Sequence, residues 1–116
     1  MSKKHWKLFL MDILESMRKI EDYTRGMSYR EFLNDAKTMD AVVRNLEIIG
    51  EAANKIPNEI QQKHSDIPWA QIVGLRNRLI HGYFVVDYEI VWYIIANELP
   101  ELKRSIEMIL EGEQEE

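Results

Sequence analysis

Apolar side chains recur at helical spacing from one end of this sequence to the other, and no stretch sustains the alternation of a half-buried strand. A chain so patterned carries apolar stripes rather than sheet faces, so it must pack helix on helix. The ridge Trp6, Leu10, Ile13, Met17, Ile20, with Leu14 beside it, predicts a first helix of about five turns, closed near Gly26. Ser28 and Glu31 have the spacing of a capping box, which predicts a short helix from Ser28. Val42, Leu46, Ile49, Ala53 and Ile56 predict a second long helix from Thr38 to Lys55, stopped by Pro57. A short helix is expected from Asn58 to Lys63. Pro68 suits the first turn of a third long helix, which is expected to end near Gly82 as its C′ residue. After an apolar link at Phe84, Val85 and Val86, Asp87 is the expected N-cap of the last helix. That helix has the ridge Val91, Ile95, Leu99, Leu102, Ile106, Ile109, and Pro100 should kink it. The expected fold is all-α, an up-and-down bundle of four long helices plus short ones.

With 116 residues the chain fits one domain, expected over residues 1–110, followed by an acidic disordered tail over 111–116. Cysteine is absent, which excludes disulfides and thiolate metal sites and fits a cytoplasmic location. The apolar run near the N-terminus is broken by Asp12 and Glu15, too early for a signal peptide, and no run is long enough for a membrane span. Net charge is −5, whereas non-specific nucleic-acid binders usually carry a basic excess. That argues against a broad electrostatic footprint on RNA or DNA but leaves room for a local basic cleft.

Such a local exception is the segment Arg76-Asn77-Arg78-Leu79-Ile80-His81-Gly82-Tyr83. Arg76 falls on the apolar ridge of the third helix, where a guanidinium is costly unless paired or opened to a cleft. On a straight helix His81 would lie about 140° around from Arg76. Either the helix unwinds near Gly82 and turns His81 back, or a second element or subunit completes the site. In a last helical turn the dipole would favour the imidazolium. A histidine suits proton transfer, and an arginine suits a phosphate. Together they suit attack of an RNA 2′-hydroxyl on the adjacent phosphate, which needs no metal and no cofactor. The spacing alone favours a plain structural role: Arg76 pairs with a helix carboxylate such as Glu47 or Glu51, and His81 caps a helix end. Glu47 and Glu51, four apart, are either a solvated face or the groups that orient Arg76.

Among other candidates, Trp69 reads as core, and Trp92 lies beside the last ridge, a candidate dimer surface. His5, His64 and His81 lack zinc-ligand spacing, and the methionines read as core filler. Arg44 and Asn45 read as structural residues that pair with the motif helix.

The arrangement Arg-x-x-x-x-His-x-Tyr at Arg76, His81 and Tyr83 resembles the signature of HepT-like toxins of the HEPN superfamily. Lys37 to Ala52 resembles the family's second long helix. Ile67-Pro68-Trp69 and Gly74-Leu75-Arg76-Asn77 resemble the approach to its motif. Tyr83-Phe84, Asp87, Glu89 to Trp92 and Leu99 to Leu102 resemble the family's segments beyond the motif. The likeness covers roughly Leu8 to Leu110. It implies a HEPN-like bundle that forms homodimers with two motifs facing one cleft, and it leaves open a higher assembly with an antitoxin. It also implies a metal-independent RNase toxin of the type VII toxin–antitoxin kind, with tRNA as substrate class. An MntA-like nucleotidyltransferase antitoxin would silence it by moving AMP from ATP to Tyr83. Arg76 and His81 would be catalytic, with Asn77, Arg78, Glu47 and Glu51 as supporting candidates. The alternatives are a non-catalytic HEPN partner of a nucleotidyltransferase and a nucleotide-binding subunit that holds a phosphate with the same Arg and His.

Overall fold

The computed structural model describes residues 5–83 and 85–114. The expected link residue Phe84, the basic start at residues 1–4 and the tail end at 115–116 lie outside the described residues. Helix α1 (Trp6–Thr24) buries Leu10, Ile13, Met17 and Ile20, the ridge read from the sequence. Helix α2 (Tyr29–Leu33) starts at Ser28 in the expected capping box: Ser28 Oγ accepts from the Glu31 amide and Glu31 accepts from the Ser28 amide. Helix α3 (Ala36–Asn54) is capped by Asp35, whose carboxylate accepts from the Thr38 amide. It lies along α1 on one side and meets the motif segment on the other. Asn45 is buried on α3, but its amide donates to the Ala41 carbonyl of the same helix. It therefore satisfies itself locally and does not pair with the motif segment as expected.

Helix α4 (Asn58–Lys63) is followed by α5 (Trp69–Val73) and α6 (Leu75–Leu79). Here the structure departs from the expected third long helix. Gly74, at φ −86° and ψ 13°, caps α5 and opens α6. Its amide still donates to Ala70 and its carbonyl still accepts from Arg78, so the helical path bends without stopping. It does stop at Ile80, whose backbone is extended at φ −113° and ψ 124°. Strand β1 (Ile80–His81) pairs antiparallel with β2 (Val85–Val86), Ile80 opposite Val86 and His81 opposite Val85. Gly82 has φ +60°, so it is the left-handed residue of the hairpin turn, not the C′ residue of a helix. Ile80, Val85 and Val86 are β-branched, which is why so short a run leaves the helical path once it can pair across the turn.

Asp87 caps α7 (Tyr88–Tyr93), as expected. The last helical path continues through one π-helical stretch, Ile94–Glu98, into α8 (Leu99–Gln114). Pro100 has no amide to offer and its ring opposes the carbonyl of residue 96, so the wider stretch before it accommodates the expected irregularity. Helix α8 carries the chain through residues 111–114, where the sequence reading begins the tail. The whole is an all-α, HEPN-like helical fold with one small hairpin. Trp69 is core, as expected, with its indole N–H on the His64 carbonyl at 3.0 Å. The half-buried Trp92 packs on Phe32 of α2, ring centroids 5.1 Å apart. No described helix is long and apolar enough to cross a membrane.

At Gly50 a built Cβ would lie 3.1 Å from the Ile72 carbonyl oxygen and 3.5 Å from that of Val73. A branched side chain there must push the end of α5 away from α3. Gly50→Val should lower stability by about 1–3 kcal/mol, read from the urea midpoint; an unchanged midpoint would show that the two helices do not need this approach. Hydrogen bonds from the Ser28 backbone to Glu31, and from the Thr38 backbone to Asp35, lower both carboxyl pKa values. A lowered folded pKa gives stability that is present above the unfolded value and lost as pH falls through the folded one. Acid unfolding of the double variant Glu31→Gln with Asp35→Asn should therefore have a flatter slope below about pH 4.3 than the wild type.

Candidate active site

The sequence-predicted site residues fall on the exit from α6 and the hairpin after it. Arg76 and Asn77 are exposed on α6 and Arg78 is half-buried; His81 follows on β1, and Tyr83 is 92% exposed in the turn. His81 sits on extended backbone and not in a last helical turn, so the straight-helix angle to Arg76 no longer applies. The first of the two expected alternatives holds in part: the helix does unwind, at Ile80, before Gly82.

Unwinding does not bring His81 back to Arg76. Arg76 borders a hollow of about 170 Å³ with Glu47, Gly50, Glu51, Asn54 and Val73. Both supporting glutamates from α3 are thus beside it. Among the described residues, however, the Arg76 guanidinium forms no ion pair or hydrogen bond, with Glu47 and Glu51 included. The plain structural pairing expected for Arg76 is therefore not formed. His81 borders a different, wide hollow of about 450 Å³, with Arg78, Glu89, Ile90 and Tyr93.

Arg78 occupies a larger place than its supporting role in the sequence suggested. Its two terminal nitrogens donate to the two oxygens of Glu98 at 2.9 and 2.8 Å. Both side chains are about one-third exposed, 31% and 34%. The Glu98 hydrogen bonds raise the guanidinium pKa further above its ordinary value, against partial burial. Glu98 also borders a groove of about 420 Å³ lined by Ile67, Ile72, Leu75 and Leu102, and Tyr93 borders both hollows. The Arg78–Glu98 fork therefore stands between the two. Sequence reasoning missed Glu98 because it lies off the apolar ridge, twenty residues from Arg78, in the π-helical stretch whose pitch no 3.6-residue period reveals.

The hairpin's other flank supplies Asp87. Its amide donates to the Leu79 carbonyl at 2.8 Å, and one carboxylate oxygen caps α7 at the Ile90 amide, 3.2 Å. The other oxygen stands 3.8 Å from His81 Nε2. The arrangement thus offers an exposed imidazole near a fixed carboxylate, an arginine without a partner on an adjacent face, and an exposed phenol between the strands. Those are the parts required to move protons and to hold a phosphate.

Known proteins have sequences similar to this one over most of its length. The family described as Ribonuclease HepT-like matches residues 13–109. A Methanocaldococcus jannaschii protein named “Putative RNase” is 46% identical over 118 residues, covering 99% of this chain and 98% of its own. A second protein of that organism, under the same name, is 47% identical with the same coverage. “Probable ribonuclease HepT” of Thermococcus cleftensis is 42% identical over 107 residues, 92% of this chain and 97% of its own. No solved structure matches the chain.

The fork between α6 and the π-helical stretch has an energetic test. In a double-mutant cycle, Arg78→Met and Glu98→Gln should show a coupling of about 1 kcal/mol in urea unfolding, at the top of the exposed-pair range, if the bidentate geometry persists in solution. A coupling of zero would show that it does not.

Proposed function

Because the chain belongs to the HepT-like ribonuclease family of the HEPN superfamily, we propose that it is a metal-independent endoribonuclease toxin acting on RNA, with tRNA as the substrate class. Its cleft is formed between two copies of the chain. The observation that carries this reading is the placement of Arg76 and His81 in separate hollows of one subunit, each accessible to solvent. Neither hollow by itself presents both to a phosphate, whereas two copies facing each other supply an arginine and a histidine from each side. Doubling the cations locally also answers how a chain of net charge −5 holds a polyanion.

In the proposed reaction the RNA 2′-oxygen attacks the adjacent phosphorus and the bond to the 5′-oxygen breaks, leaving a cyclic phosphate. One His81 takes the 2′-hydroxyl proton, and its counterpart gives a proton to the departing 5′-oxygen. Arg76 stabilises the charge that grows on the non-bridging phosphoryl oxygens. Asn77 and Arg78 flank this path, Glu47 and Glu51 border the Arg76 hollow, and no metal or cofactor takes part. The 92% exposure of Tyr83 supports silencing at this residue. A nucleotidyltransferase antitoxin transfers AMP from ATP to its hydroxyl, with pyrophosphate leaving. The added phosphodiester then competes for the cations that bind RNA.

Purified, unmodified protein should cleave tRNA equally well with and without EDTA. His81→Ala should lose about 10²–10⁴-fold, and Arg76→Ala about 10²–10³-fold, in kcat/KM. No cleavage by wild type, or equal cleavage by His81→Ala, overturns the ribonuclease reading and favours a non-catalytic HEPN partner. Tight ATP or AMP binding without RNA turnover favours a nucleotide-binding subunit instead. Intact mass after co-expression with a nucleotidyltransferase should rise by whole AMP increments, and Tyr83→Phe should abolish the rise.

A further inference from the structure

Asp87 does more at the hairpin than start a helix. Two hydrogen bonds and the strand register define its place. The backbone amide is tied to Leu79 at the end of α6, at 2.8 Å. The strand register puts Ile80 opposite Val86, so Asp87 leaves β2 next to the start of β1. One carboxylate oxygen is committed to the Ile90 amide of α7 at 3.2 Å. With its backbone and one oxygen fixed, the side chain has one oxygen left, and that oxygen faces His81 Nε2 at 3.8 Å. Capping α7 uses one oxygen alone; asparagine or serine would cap as well. The second oxygen is thus unexplained by the fold.

The other groups around His81 do not offer the same support. Arg78 is held by Glu98 and cannot accept a proton from an imidazole. Tyr93 is exposed, and Glu89 is exposed on the first turn of α7 without a second bond that would fix it. At 3.8 Å the Asp87–His81 contact is longer than a hydrogen bond, as catalytic contacts often are before substrate is bound.

We infer that Asp87 is the positioning residue of His81: its carboxylate keeps the proton of the neutral imidazole on Nε2 and leaves Nδ1 as the nitrogen that exchanges protons with RNA. The second half rests on the ribonuclease reading of His81; the first half does not. A carboxylate on the far nitrogen fixes both tautomer and ring orientation and stabilises the imidazolium once a proton arrives.

Asp87→Asn separates these roles. Asparagine caps a helix about as well as aspartate, so α7 should keep its start and circular dichroism should be unchanged. With the amide oxygen on the Ile90 amide, the NH₂ group faces Nε2 and donates to it, which moves the imidazole proton to Nδ1. The readout is the ring nitrogen shifts of His81 in histidine-labelled protein above the imidazole titration, assigned by loss of the signal in His81→Ala. Wild type should show the Nε2–H tautomer and Asp87→Asn the Nδ1–H tautomer. In cleavage, Asp87→Asn should lose about 10²-fold or more in kcat with KM little changed, and Asp87→Ser, which can cap but not reach Nε2, should lose less.

The same tautomer in wild type and Asp87→Asn overturns the inference whether or not the protein cuts RNA. A switched tautomer with undiminished kcat also overturns the positioning role. If wild type does not cleave RNA while the tautomer switches, the ribonuclease reading fails and the Asp87–His81 coupling stands.

Discussion

Close approach of α3 to the α5–α6 junction is the constraint on which the rest depends. At Gly50 the two backbones meet with the Ile72 carbonyl oxygen 3.1 Å from where a Cβ would stand. A Cβ there would force the Ile72 carbonyl to give by a few tenths of an ångström, so glycine lets α3 lie this near without strain, and Leu75 packs into the same contact. From there the motif segment has a fixed origin. Arg76 follows Leu75 directly and faces the α3 glutamates across a small hollow. Leu79, fully buried, anchors the far end of α6 before the chain leaves the helical path.

The path of the chain after Leu79 decides the chemistry. Had the helix continued, His81 would have stood within a last turn, under the field of the helix carbonyls. Instead Ile80 turns extended, the hairpin returns the chain, and Asp87 bonds the carbonyl of Leu79. That single backbone bond brings a carboxylate from six residues downstream of His81 to the imidazole. It also gives the next helix its start in the same few atoms. The exposed Tyr83 between the strands comes from the same turn, since a residue at a hairpin tip has little to pack against.

Electrostatics divide the region into two settings. Arg78 is spent on Glu98 in a half-buried fork, which braces α6 against the irregular stretch of the last helical path. Arg76 lies near two carboxylates but bonds neither. A cation held close to acids without being bound by them keeps its donors for a phosphate, while the acids limit its attraction for nucleic acid in general. The acidic whole and the cationic motif are in this sense compatible with the proposed single-phosphate site, which needs no broad basic footprint.

Much of this was written in the sequence because it is local. Ridges such as Leu10, Ile13, Met17, Ile20 and Val42, Leu46, Ile49 state their period directly, and Ser28 with Glu31, or Asp87 before an apolar run, state a helix start within four residues. The family was legible for the same reason, in ordered blocks of side chains around Arg76, His81 and Tyr83. The break after Leu79 was not, because residues 68–82 satisfy the helical period almost throughout, and the β-branched Ile80, Val85 and Val86 outweigh it only once they can pair across a turn. Nor were Arg78–Glu98 and Asp87–His81, which join residues whose meeting depends on how the chain returns. The sequence alone determined most of the helices, their caps and the candidate site side chains, all set by spacing along one axis. Tertiary structure alone decided that Arg76 and His81 border different hollows, and that the carboxylate capping α7 stands 3.8 Å from a histidine, because both depend on distances between segments that no period encodes.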